Sequence, residues 1–265
     1  EGRAVDPAQD LRAHLRGTAD REIVLGLRRP REGAEPFALD GVRRRGSAGA
    51  DAGLRYAEWA RTRAELVHGW SGGRIGYLHI RSMSRTSLRD FERDLFAAAE
   101  GRDGLLVDVR NNGGGHTADY VLASIMVRPH AYTVPRGADP TVTDGYPQDR
   151  LFIQRYTRPM SMLCNEKSFS NAEIVSHAFR TLGRGTLVGE RTYGGVISTG
   201  GTRLLDGTTV RLPFRGWYLP DGTDMENNGA LPDLHVPSTP EDESRVHDAQ
   251  LRAAVDELLG RLPPR

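Results

Sequence analysis

From Arg74 to Val188 the chain alternates short apolar runs with stretches of helical period, and this alternation limits the fold more than any other feature. RIGYLHI (74–80), GLLVDV (104–109), Pro159–Cys164 and Thr186–Val188 read as strands. LRDFERDLFAAA (88–99), Thr117–Val127 and Asn171–Leu182 read as the helices between them. Strands that alternate with helices form a largely parallel sheet with flanking helices, an α/β fold. Residues 201–219 break the pattern, with two or three short strands around the turn signal Asp206-Gly207. A terminal helix is expected over Glu241–Leu259, ending at Gly260.

The first 72 residues read differently. AQDLRAHL (8–15) fits a short helix and REIVLGL (21–27) a partly buried strand. Residues 31–51, rich in Arg, Gly, Ala and Pro, read as a surface connection, with Arg43, Arg44 and Arg45 in a solvated turn. A short helix is expected within 52–70.

Composition excludes several classes. The 265 residues are 38% hydrophobic and 27% charged, enough for a buried core. The net charge of +1 provides no whole-molecule field for nucleic acid or an anionic membrane. No stretch approaches the roughly 18–20 apolar residues of a membrane span. Cys164 is the single cysteine, so there is no internal disulfide framework, and a reducing, cytoplasmic compartment fits. Histidines and cysteine nowhere take zinc spacing, so neither metal nor cofactor is expected. The chain opens at Glu1 without an apolar leader core, which suggests a processed leader or a piece of a longer chain.

Three segments could carry chemistry. Asp108-Val-Arg-Asn-Asn-Gly-Gly-Gly-His116 sits where a buried strand meets a helix, at the sheet edge where α/β folds bind ligands. Its glycines can expose backbone N–H groups to a ligand or simply make a turn. It matches neither nucleotide-loop pattern. Asn165-Glu-Lys-Ser-Phe-Ser-Asn-Ala-Glu173 occupies a second such corner. Ser170 and Glu173 fit a helix capping box, and the same geometry can present a nucleophilic hydroxyl beside the N–H groups of a helix start. Asp221-Gly-Thr-Asp-Met-Glu-Asn-Asn-Gly229 lacks calcium-loop spacing; it is either a polar surface loop or the source of one supporting carboxylate, Glu226. His177 lies two turns beyond Ser170, too far along its helix to reach that hydroxyl easily.

Taken together and in order, these blocks resemble the catalytic domain of the tail-specific (carboxyl-terminal processing) serine peptidases, in the tricorn-protease branch. GRIGYLHI (73–80), GLLVDVRNNGGGH (104–116), NEKSFSNAEI (165–174), LGRGTLVGERTYGGV (182–196), LLDGTTVRLPFRGWY (204–218) and DGTDMENNGALPD (221–233) carry the likeness, over more than half the chain. The resemblance implies a crotonase-like sheet in 73–265, a linker with a short helix at 46–72 and the C-terminal part of a PDZ-like domain at 1–45. It also implies a serine endopeptidase or oligopeptidase acting on oligopeptides through an acyl-enzyme. Ser170 would be the nucleophile, with Ser168 the lesser choice. The N–H groups of Gly115 and Asn171 would form the oxyanion hole, and Glu226 would orient the base through a serine hydroxyl. Thr133, in the loop 128–137, would lie in the substrate pocket.

Two departures bear on mechanism. Where many relatives place a catalytic lysine this chain has Gly195, and its sole lysine, Lys167, precedes the serine. The tricorn branch instead uses a histidine from a segment ahead of the PDZ-like domain, which is not in this sequence. The expectation is therefore a fragment without its general base, nearly inactive alone, from an intact homo-oligomer. A non-catalytic peptide-binding or scaffold module is the alternative. A crotonase-like CoA-binding protein is a third reading, for which no nucleotide motif speaks.

Overall fold

The computed structural model describes residues 5, 10–18, 21–31, 34–44, 48–128, 136–137, 139, 155–239, 241–242 and 247–264. Contacts divide the chain into two compact units, Glu1–Arg61 and Thr62–Arg265.

In the first unit a single helical turn, α1 (Leu11–His14), precedes β1 (Glu22–Arg31) and β2 (Ala34–Arg44). The two strands form an antiparallel hairpin, with Leu25 opposite Gly41 and an irregularity at Arg29–Arg31. The expected surface connection is thus largely a strand. Phe37 and Leu39 carry the two-residue alternation, but the surrounding Arg, Gly and Pro content hides it. Helix α2 (Ala48–Trp70) runs 23 residues, longer than expected, through a stretch without proline; the unit boundary falls within it.

The second unit is built on a five-stranded sheet in the order β3 (Ile75–His79), β4 (Gly104–Asp108), β5 (Met160–Cys164), β6 (Thr186–Gly189), β9 (Leu234–His235). Every pairing in it is parallel. Between the strands lie α3 (Arg85–Ala97), α4 (Ala118–Ile125) and α5 (Asn171–Thr181). A separate antiparallel hairpin, β7 (Ser198–Arg203) with β8 (Thr209–Arg215), follows β6. The terminal helix α6 (Ala249–Arg261) starts later than expected, because Asp248 caps it by accepting the Leu251 N–H at 2.9 Å.

Strand alternation divides the core into two layers. Leu78, Leu105, Val107, Met160 and Met162 pack with Phe91, Leu95, Val121, Val175 and Phe179 from α3, α4 and α5. Ile75, Tyr77, Leu106, Leu163 and Val188 pack with Leu251, Val255 and Leu258 of α6 and with Val67 near the end of α2. The three crossover helices therefore share one face of the sheet, as the uninterrupted strand order requires. No described helix is long and apolar enough to cross a membrane.

Candidate active site

Strands β4 and β5 lie in register, Asp108 opposite Leu163, so the loops leaving their carboxyl ends emerge side by side. Hydrogen bonds stitch these loops together. Asn111 N–H donates to Asn165 Oδ1 at 2.9 Å, Phe169 N–H to the Asn112 carbonyl at 2.9 Å, and Ser168 Oγ to the Val109 carbonyl at 2.8 Å. The Asn171 side chain accepts the Ala118 N–H at 2.7 Å and so ties the start of α5 to the start of α4.

The glycine run then curls against β3's outgoing chain. Met83 N–H donates to the Gly114 carbonyl at 2.9 Å, and His116 N–H to the Met83 carbonyl at 2.8 Å. Gly114 has φ +83°, and a Cβ on it would stand 2.7 Å from both Ser170 Cβ and the Phe169 carbonyl oxygen. A Cβ on Gly115, at φ +148°, would lie 2.1 Å from the Met83 carbonyl oxygen. Only glycine brings this backbone so close to Ser170. Among the described residues no acceptor takes the Gly115 N–H or the Asn171 N–H.

Ser170 itself is strained, with φ 56° and ψ −116°, which a non-glycine residue adopts at a cost of about 1–3 kcal/mol. The surroundings hold it there. Its N–H donates to Glu173 Oε1 at 2.8 Å, while the Glu173 N–H goes to the Ser170 carbonyl at 2.9 Å. Glu173 is fully buried and takes three more donors: Gly195 N–H at 2.8 Å, Gly194 N–H at 2.6 Å and Thr192 Oγ1 at 2.6 Å. Thr192 Oγ1 in turn accepts the Ala230 N–H at 2.7 Å. The helix-cap glutamate thus anchors the 192–195 loop beneath the serine.

A second carboxylate continues this scaffold. Glu226 Oε2 accepts the N–H groups of Val196 and Ile197 at 2.8 and 2.9 Å. Its Oε1 takes no hydrogen bond among the described residues. Gly115, Ser170, Asn171, Tyr193, Trp217 and Glu226 line one open cleft of about 820 Å³, with Ser198, Thr199 and Arg211 of the β7–β8 hairpin also in its wall.

The family model for peptidase family S41 matches residues 74–236, which contain both loops and both carboxylates. The chain belongs to peptidase family S41. This S41 chain is 37% identical over 272 residues to tricorn protease homolog 1 of Streptomyces coelicolor, covering 99% of the chain and 24% of that protein. It is 30% identical over 264 residues to the tricorn protease of Thermoplasma volcanium, again 99% of the chain and 24% of that protein. A crystal structure of the tricorn protease superposes with a TM-score of 0.77 at 30% identity, over 94% of this chain and 23% of that one. The S41 chain therefore spans about a quarter of the length of these relatives.

Within the S41 unit the remaining sequence candidates separate. Asp108 does not reach the cleft. It is fully buried, and Arg110 donates to it through Nη2 at 2.7 Å and to Asp248 through Nη1 at 2.7 Å. Burial would raise the Asp108 carboxyl, but the Arg110 guanidinium outweighs it and the pKa is lowered. Ser168 is buried with its hydroxyl committed to the Val109 carbonyl. His116 faces a neighbouring groove, and His177 contacts Thr181. Where a lysine would replace Gly195, its Cβ would lie 2.3 Å from the Phe169 ring. Thr133 lies outside the described residues. The described residues hold no group of three or more His, Cys, Asp or Glu able to bind a metal. The Ser-x-x-Glu spacing marks Glu173 only as a helix cap, and its burial under four donors has no signal in the sequence.

Proposed function

We propose that this S41 chain is the nucleophile-bearing part of a tricorn-type serine peptidase that hydrolyses oligopeptides. One observation carries the reading: the strained Ser170 shares a cleft with Gly115 and Asn171, whose N–H groups have no acceptor among the described residues. Ser170 Oγ attacks the peptide carbonyl carbon and gives its proton to a general base. The carbonyl oxygen becomes an oxyanion facing the Gly115 and Asn171 N–H groups, aided by the positive end of α5. The intermediate collapses to an acyl-enzyme as the amine leaves with a proton, and water releases the acid by the reverse sequence.

The base is a histidine in a segment of the intact protein upstream of this chain. Glu226 Oε1, which takes no hydrogen bond among the described residues, suits a serine hydroxyl that would orient that histidine. Residues 1–45 are the closing part of a PDZ-like domain, and the sheet is crotonase-like. Thr133 contributes to the substrate pocket, the intact protein is a homo-oligomer, and it works in the cytoplasm. A non-catalytic scaffold would have no use for the strain at Ser170.

Fluorophosphonate labelling tests this. The isolated chain should label slower than the intact protein by on the order of 10⁴-fold, since serine and base act as a unit. Rapid labelling of the isolated chain would show that it holds its own base. Undiminished labelling of an intact Ser170→Ala protein would remove the nucleophile assignment.

A further inference from the structure

A second open groove, of about 670 Å³, adjoins the catalytic cleft and is lined by Arg85, Leu88, Arg89, His116, Thr117 and Tyr120. The two share a wall: Gly115 lines the catalytic cleft, and the next residue, His116, lines this groove. Arg85 and Arg89 stand one turn apart on α3 and so face the same way. Like charges at that spacing repel unless an anion lies between them. The nearby acidic residues on α3 do not relieve them: Asp90 and Asp94 both pair with Arg93, and Glu92 makes no ion pair with Arg85 or Arg89 among the described residues. Neither Arg85 nor Arg89 has a carboxylate partner among the described residues, and Asp119 does not line the groove. Leu88 and the exposed Tyr120 ring add apolar walls beside the two guanidinium groups.

We propose that this groove is a substrate subsite for an acidic side chain of the bound peptide, its carboxylate held between Arg85 and Arg89. The inference rests on the catalytic cleft being a peptide cleft, because the subsite takes a residue of the same chain a few positions from the scissile bond. Leu88 and Tyr120 suit the methylene stem of a glutamate, and the guanidinium pair suits its planar head. His116 sits at the junction and would position the peptide backbone as it passes from one cleft to the other.

The test uses this chain with Ser170→Ala, so that nothing is turned over. The probes are fluorescent peptides acetylated and amidated at their ends, with one Glu scanned along an uncharged sequence and a Gln series as control. At one position Glu should bind about tenfold tighter than Gln. That advantage should vanish in Arg85→Ala and Arg89→Ala and shrink with added salt. Arg85→Glu/Arg89→Glu should instead favour Lys at that position, a gain that misfolding cannot produce. Glu and Gln peptides binding alike, or a Glu preference that survives the arginine substitutions, would overturn the subsite alone. Failure of every peptide to bind would overturn the peptide-cleft reading and the subsite with it.

Discussion

At the residue scale two carboxylates, Glu173 and Glu226, hold the loops of the candidate site through the hydrogen bonds they accept. Glu173 accepts four hydrogen bonds and thereby holds both the Ser170 N–H and the 192–195 loop. Glu173→Gln turns one acceptor into a donor facing other donors, which should cost about 2 kcal/mol or more of unfolding free energy. Urea unfolding of the two proteins measures this; equal midpoints would show that the loop holds itself. Gly195→Lys would place a lysine where the Phe169 ring occupies the space. The expected outcome is a loss of about 1–3 kcal/mol with no gain in fluorophosphonate labelling. The strand-to-helix corner and the Ser-x-x-Glu spacing made Ser170 legible as a helix-cap serine, and the family resemblance marked it as the candidate nucleophile. Glu173 was legible only as a cap, since spacing reports neighbours along the helix and three of its four donors lie 19–22 residues away.

At the element scale the corner after β4 divides its work. Its first residues lock the sheet to the terminal helix, and its glycines shape the cleft. Arg110 joins Asp108 at the end of β4 to Asp248 at the cap of α6, and Tyr77 Oη adds a hydrogen bond to Asp108 at 2.9 Å. Arg110→Ala would leave the fully buried Asp108 without its cation and Asp248 with only Arg63, 3.4 Å away, and should cost about 3–5 kcal/mol. Leu258→Ala, on the α6 face that packs against the sheet, should cost about 2–5 kcal/mol through the cavity it leaves. Thermal unfolding would rank them, and a shift below 1 °C for Arg110→Ala would contradict the first. Four of the sheet's five strands were legible to within a residue or two because buried parallel strands are short continuous apolar runs, whereas the two-residue β9 was too short to show a pattern. β2 was not legible either, because its alternation is brief and its composition is that of a loop.

At the scale of the whole molecule, stability should follow pH through two buried groups. Burial lowers the His79 pKa below its usual 6.5, and the charge of Asp108 offsets this only in part. Below pH 6.5 the unfolded chain therefore binds a proton that the folded one refuses, so stability held above 6.5 is lost as pH falls. Asp108, whose pKa lies below 3.8, stabilises fully above that value and loses its contribution as pH falls through the lower folded-state pKa. The melting temperature should thus decline in two stages, first below pH 6.5 and again below about 3.8. His79→Gln should flatten the first stage partly, because His177 is lowered by burial too. A pH-independent melting temperature between 7 and 5 would refute the histidine contribution.

By itself the sequence determined the parallel α/β sheet and the two strand-to-helix corners, because those rest on local periodicity and short motifs; Ser170 as nucleophile rests on the family resemblance. Only the tertiary structure decided that the corners meet, that Gly115 and Asn171, whose N–H groups have no acceptor among the described residues, line one cleft, that Asp108 is structural and that Glu173 anchors the loop under the serine. Each of these depends on register between strands distant in the chain and on burial. The sequence holds a single lysine, Lys167, and none at 195. Packing supplied its physical counterpart, because the Phe169 ring already fills the space a lysine at 195 would need.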